Sequence, residues 1–198
     1  TQQMIVPLTH HLLALIASDA AVLKRILPRG VKLGLNISPA HLQADSFRDD
    51  MLRFAAALPA DHFHVVLEVT ERAMIDKEKS MANFAWLHRQ GFEIAIDDFG
   101  TGYASYARLK NVNAALLKID GSFIRNIVSN SLDYQIVASI CHLARMKKML
   151  VVAEYVENEE IREAVLSLGI DYMQGYLIGK PQPLIDTLNE IEPIRESA

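Results

Sequence analysis

The feature that most constrains this chain is an alternation, repeated six times, of a short apolar run and a stretch with helical periodicity. The apolar runs cover 31–36, 64–69, 92–97, 115–119, 149–154 and 172–177, and each is short and rich enough in branched residues to read as a strand. The helical stretches cover 39–58, 77–90, 103–110, 131–147, 159–167 and 183–191. An earlier amphipathic helix starts almost at once, with Met4, Ile5, Val6, Leu8, Leu12, Leu13, Leu15 and Ile16. Strand followed by helix, over and over, predicts a parallel α/β fold. Breakers fall where units should join, at Pro28-Arg29-Gly30, Asn36-Ile37-Ser38-Pro39, Gly100-Thr101-Gly102 and Gly169. No glycine-rich phosphate loop of the GxGxxG or Walker type follows any strand, which favours a TIM-like (β/α) barrel over a dinucleotide-binding sheet.

Composition narrows the function classes. With 198 residues, 51% of them hydrophobic, the chain buries one large core. A net charge of −4 with both signs interspersed gives no broad positive field for polymeric nucleic acid, and leaves a small anionic ligand held through metal as an open class. The single cysteine, Cys141, lies in an apolar run and reads as a buried thiol. One cysteine excludes an intrachain disulfide, which fits a reducing cytoplasm. No uninterrupted apolar stretch reaches the roughly 18 residues of a membrane span, so no membrane contact is expected of these residues.

Chemistry shows at the strand ends. The apolar runs close in or near Asn36, Glu68, the pair Asp97-Asp98, Lys118, Glu154 and Gln174, at intervals of 32, 29, 21, 36 and 20 residues, about one βα unit each. In a parallel barrel every strand delivers its C-terminal end to one rim, so these positions would converge there. Any one of them has a plainer explanation: a strand end meeting solvent, a turn at Asn36, an ion-paired Lys118, or a loop hydrogen bond at Gln174. The adjacent carboxylates of Asp97 and Asp98 weigh the other way, since like charges facing one mouth raise each other's pKa unless a cation lies between them. With Glu68, Glu154 and Asn36 the donors are all oxygens, which suits Mg2+ or Mn2+, and neither a His-x-x-x-His motif nor a cysteine pair is present to favour zinc. Such a site is what two-metal phosphoryl hydrolysis uses, with Asp97 able to bridge both ions.

These residues resemble a known family. Leu35-Asn36-Ile37-Ser38, Leu67-Glu68-Val69-Thr70-Glu71, Asp97-Asp98-Phe99-Gly100-Thr101-Gly102-Tyr103, Leu117-Lys118-Ile119-Asp120, Val152-Ala153-Glu154 and Gln174-Gly175-Tyr176 are similar, in order and spacing, to six motifs of EAL domains. That family hydrolyses the bacterial second messenger cyclic di-GMP to linear pGpG. The resemblance implies that Asn36, Glu68 and Asp97 hold one metal and that Asp97, Asp98 and Glu154 surround the second. It casts Lys118 as the amine that holds the attacking water or stabilises developing charge, and Glu154 as a general base. It assigns Glu71 to anchoring the loop over 99–108, and places Glu157, Gln174 and Asp120 among the substrate-binding or supporting positions. One departure stands beside the site: Ala153-Glu154-Tyr155-Val156-Glu157 carries tyrosine where the family usually has glycine, so a large ring must either narrow the pocket or find packing elsewhere.

By the same comparison Thr1 falls just before the family's second helix. This implies that the first two strands, the Glu-Ala-Leu motif with its metal-binding Glu, and a nearby substrate-contacting Arg lie upstream. Residues 1–198 are then expected to be an EAL-type phosphodiesterase domain lacking its N-terminal part. Six strands leave open edges, so the free chain is expected to bind metal poorly, to turn over weakly, and to associate, as in a homodimer. In this family such modules are joined to upstream sensor domains, some anchored in the inner membrane, or to GGDEF domains. Two further classes stay open: a non-catalytic receptor for cyclic di-GMP, and an interaction module that keeps only the fold.

Overall fold

The computed structural model describes residues 4–59, 61–74, 78–100, 109 and 112–190. The chain divides into two compact units, residues 1–67 with 181–198, and residues 68–180.

The first unit opens with α1 (Ile5–Ile26), which buries Thr9, Leu13, Ala20 and Leu23 along one stripe and packs on the two helices that follow β1. Among the described residues α1 is the one helix long and apolar enough to cross a membrane by length and composition. Strand β1 (Val31–Asn36) lies next to β2 (Phe63–Thr70) in the sheet. Between them the helix expected over 39–58 is two helices, α2 (Pro39–Leu42) and α3 (Phe47–Ala57). Ser38 caps α2, its hydroxyl accepting from the His41 amide, and Pro39 supplies the fixed φ that suits a first helical position. The break has a consequence. In one unbroken helix His41 and Asp50, nine residues apart, would point to opposite sides. Folded back at 43–46, they meet: His41 Nε2 lies 3.0 Å from Asp50 Oδ2.

In the second unit the end of β2 is followed across the sheet by β3 (Glu93–Phe99), β4 (Leu116–Ile119), β5 (Leu150–Ala153) and β6 (Tyr172–Met173), with β3, β4, β5 and β6 pairing in parallel. A short 3-10 turn (Glu71–Met74) and α4 (Glu78–Arg89) lead into β3; α5 (Gly121–Ile124) and α6 (Ser131–Met146) join β4 to β5; α7 (Glu159–Ser167) precedes β6. All four residues of β4 are buried, as expected of a strand covered on both faces. Asn130 and Asn158 cap α6 and α7, accepting from Leu132 and Ile161 amides, and Gly169 follows α7 at φ +65°, as its place after Leu168 predicts. The last element is α8 (Leu184–Glu190), in the first unit.

One expected element lies outside the described residues, and one expected strand is shorter than its apolar run. The helix over 103–110 lies, but for Leu109, outside the described residues. Strand β6 stops at Met173 instead of running to 177, because the chain turns onto the segment after β5: the Val156 amide donates to Gln174 O, and Ile178 and Gly179 amides donate to Gly175 O. A Cβ at Gly175 would overlap the Val156 backbone, so only glycine allows that approach.

Candidate metal-binding site

The parallel register decides which side chains share a face. Ala95 pairs with Leu116 and Lys118 with Val152, so Asp97 and Lys118, two residues past Ala95 and Leu116, face the same side, and Glu154 lies two residues past Val152 on that side. Between Ile96, opposite Leu117, and Phe99, opposite Ile119, β3 carries two residues where β4 has only Lys118. The extra residue is a bulge, and Asp98 takes φ +54° within it. In a regular strand Asp98 would face away from Asp97. With the bulge, carboxylate oxygens of Asp97, Asp98 and Glu154 all lie within 4.8 Å of one another.

Lys118 sits at the centre of this cluster. Its ammonium lies 2.8 Å from Glu68 Oε2, 2.9 Å from Asp97 Oδ1 and 2.8 Å from Glu154 Oε1, with the Lys118 side chain 7% exposed. Burial alone would lower the Lys118 pKa, but its close contacts with the carboxylates of Glu154, Glu68 and Asp97 outweigh it and hold the pKa above the usual lysine value. Burial raises the Glu154 carboxyl, Asp97 and Asp98 add to the rise, and Lys118 opposes it. Asp98 is raised for the same first reason, burial, reinforced by the charges of Asp97 and Asp120.

The other expected site residues fall around this core. Glu71 is 2% exposed, and the Gly100 amide donates to its Oε2 at 3.4 Å, which ties the turn after β2 to the start of the segment after β3. Asp120 caps α5 by accepting from the Ser122 amide at 2.8 Å. Gln174 is exposed, and its backbone brackets Glu154 by bonding Ala153 O and the Val156 amide. Glu157 is exposed, and Asn36 ends β1 in the first unit, also exposed.

Tyr155 takes φ +55°, a conformation that glycine adopts without strain. Its ring lies over the Cα of Gly121, and the Arg125 guanidinium stacks 3.9 Å from the ring centroid. The ring therefore finds packing on α5. The sequence gives no local sign of the Arg125 contact.

The donor chemistry fits divalent cations. Asp97, Asp98 and Glu154 offer anionic oxygens to one point, and Asp97 Oδ1, although close to the Lys118 charge, is buried and receives no directed hydrogen bond. Residues 1–181 match the EAL domain family. The chain belongs to that family. Over 168 residues it is 69% identical to the cyclic di-GMP phosphodiesterase PdeF of Escherichia coli, covering 84% of this chain and 22% of that protein. It is 46% identical over 186 residues to the probable cyclic di-GMP phosphodiesterase PdeN of the same organism, covering 94% of this chain and 36% of PdeN. The chain thus spans about a fifth to a third of the length of these relatives. Among solved structures, the EAL enzyme Bd1971 in its cAMP-bound form matches with a TM-score of 0.86 at 28% identity, over 96% of this chain and 54% of that one. The PaMucR phosphodiesterase in complex with c-di-GMP matches with a TM-score of 0.84 at 32% identity, over 93% of this chain and 81% of that one. The fold is accordingly the EAL one, an incomplete TIM-like (β/α) barrel.

Proposed function

We propose that this EAL segment serves hydrolysis of cyclic di-GMP to linear pGpG in its parent protein, with Mg2+ or Mn2+ as cofactor. The observation that carries the reading is the cluster around Lys118, where one buried ammonium holds Glu68, Asp97 and Glu154 within 2.9 Å and a bulge adds Asp98. Asn36, Glu68 and Asp97 would hold one cation, and Asp97, Asp98 and Glu154 the other. The bound cations supply a more acidic water and neutralise charge on the phosphate oxygens.

The chain's own residues do the rest. Lys118, protonated across neutral pH, orients the three carboxylates and offers N–H donors to the attacking water or to a phosphate oxygen. Glu154 accepts the proton that the water loses; its pKa, raised by burial, makes it a stronger base than an ordinary carboxylate. The water oxygen then bonds to phosphorus, one phosphodiester bond breaks, and the leaving oxygen is protonated. Glu71 holds Gly100 and so the segment that follows Asp98, while Asp120, Glu157 and Gln174 contact substrate or support the ligands.

The reading extends to residues 1–198 as part of one EAL-type phosphodiesterase domain, acting in the cytoplasm, able to pair with a second copy, and joined in the parent to a sensor domain. Similar proteins support the ligand: PdeF is named for cyclic di-GMP and PaMucR is seen with it. The test is formation of pGpG from cyclic di-GMP with Mn2+ by the full-length polypeptide, resolved by chromatography. Hydrolysis supports the proposal; binding without hydrolysis points to a receptor instead.

A further inference from the structure

A second constellation lies in the first unit, on helices and away from any strand end. His10 from α1, His41 from α2 and Asp50 from α3 bring three ligand atoms together: His10 Nε2 is 2.6 Å and His41 Nε2 3.0 Å from the same oxygen, Asp50 Oδ2. All three donor atoms lie within 4.8 Å of one another. The structure assigns to this trio a divalent-cation site of the zinc class, distinct in ligand chemistry from the oxygen-only cluster around Lys118.

Donor type is the first support. Two imidazole nitrogens and one carboxylate oxygen are the set that borderline cations such as Zn2+ select, whereas Mg2+ prefers oxygen alone. Spacing is the second. Ligands about 2.0–2.1 Å from a tetrahedral zinc stand roughly 3.3 Å apart, so the His41 separation of 3.0 Å needs to open by about 0.3 Å and the His10 separation of 2.6 Å, on a half-exposed side chain, by about 0.7 Å.

Preorganisation is the third. His41 is fully buried, its ring set edge-on against Phe47, and Asp50 is 4% exposed. Arg53 pairs with the other carboxylate oxygen, Oδ1, which fixes the carboxylate plane and leaves Oδ2 for a ligand. The Nδ1 of His41 has no hydrogen-bond partner, so in the metal-free chain only Asp50 Oδ2 holds a proton on Nε2, and a cation bound there would move that proton to Nδ1.

The site has an entry and an open position. The His10 side chain is 42% exposed, and His10, Asp50 and Arg53 line a cleft of about 280 Å³ whose floor is Leu13, Ala17 and Phe54. Three protein ligands with a fourth position toward this cleft give a site that water completes. A cation there would clamp α1 to α2 and α3, each of which contributes one ligand.

The competing account is a hydrogen-bonded clasp, in which both Nε2–H groups donate to Asp50 and no metal enters. Co2+ separates the two, because tetrahedral Co2+ with nitrogen and oxygen ligands absorbs strongly in the visible range. The full-length polypeptide, stripped with chelator, is titrated with Co2+ and then with Zn2+ as competitor. The proposal predicts one equivalent of tetrahedral Co2+, displaced by Zn2+, and a rise in Tm with Zn2+. His10→Gln weakens tetrahedral Co2+ binding by at least about tenfold and reduces the Zn2+-dependent Tm rise, while Asp97→Asn leaves the tetrahedral bands unchanged. His10 is partly exposed, so circular dichroism of His10→Gln should match the parent. Absence of tetrahedral bands, or bands that survive His10→Gln and vanish in Asp97→Asn, overturns the assignment.

Discussion

Asp98 turns its carboxylate to the same side of the sheet as its neighbour Asp97, because the two together oppose the single residue Lys118 and Asp98 adopts φ +54°. Consecutive residues on a regular strand cannot do this. The bulge brings both carboxylates of an acidic dipeptide to one place. Asparagine tolerates the same backbone conformation, so Asp98→Asn should keep the bulge and lose the charge. The expected result in the full-length protein is Mn2+ binding about 10- to 100-fold weaker with the Tm of the metal-free protein unchanged to within about 2 °C. Equilibrium dialysis and a thermal scan check both.

Lys118 predicts an asymmetry between chemistry and metal binding. Replacing it with methionine removes the donor to water and phosphate, and turnover should fall at least about 100-fold. The same change removes a positive charge 2.8–2.9 Å from three carboxylates, so Mn2+ should bind no more weakly than before. The metal-free variant, with three carboxylates left uncompensated, should unfold at a lower temperature and recover more on adding Mn2+ than the parent does. Parallel loss of turnover and of Mn2+ affinity would refute the role assigned to this ammonium.

Tyr155 and Gly121 should be coupled. A Cβ at Gly121 would overlap the Tyr155 ring, so Gly121→Ala is expected to cost about 1–3 kcal/mol as overpacking. Tyr155→Gly relieves a positive φ and gives up the Arg125 stack, two effects of about 1 kcal/mol each and opposite sign, so its own effect should be small. In the double variant most of the Gly121→Ala penalty should vanish. A double-mutant cycle by urea unfolding measures this, and additive penalties would show that the ring does not rest on Gly121.

Asp50 gives a pH signature to the metal-free chain. Its folded pKa is lowered from 3.8 to about 2, so the group contributes stability above the unfolded value and loses it as pH falls toward the folded one. The expected loss is about 2 kcal/mol between roughly pH 4 and pH 2, absent in Asp50→Asn, which itself should be destabilised at pH 7 because it weakens the hydrogen bonds of two histidines and Arg53. Urea midpoints at pH 3 and pH 7 check it.

Much of the barrel pattern was legible because parallel strands buried on both faces leave continuous apolar runs, and Val31–Asn36 and Glu159–Ser167 have the bounds read from the sequence. The convergence of Glu68, Asp97, Lys118 and Glu154 was legible for a topological reason, since parallel strands end on one side. What stayed hidden depends on departures from regular geometry. The bulge at Asp98 and the left-handed Tyr155 are backbone choices that no periodicity announces. The break at 43–46 escaped notice because 39–58 keeps a helical apolar spacing across it, although Asp45-Ser46 is a helix-start signal. One clue to the second cluster was present: Asp50 stands on the same stripe of α3 as Phe47, Met51 and Phe54, and a charge on a buried stripe needs partners.

The account rests on the carboxylates around Lys118 holding the cations that hydrolysis needs. The most direct measurement is pGpG formation from cyclic di-GMP by the full-length protein across a Mn2+ titration, parent against Asp97→Asn. The account predicts turnover that rises with Mn2+ in the parent and falls by at least about 100-fold in the variant at every Mn2+ concentration. Equal turnover by the two proteins, or turnover that persists in the parent under excess chelator, would contradict it.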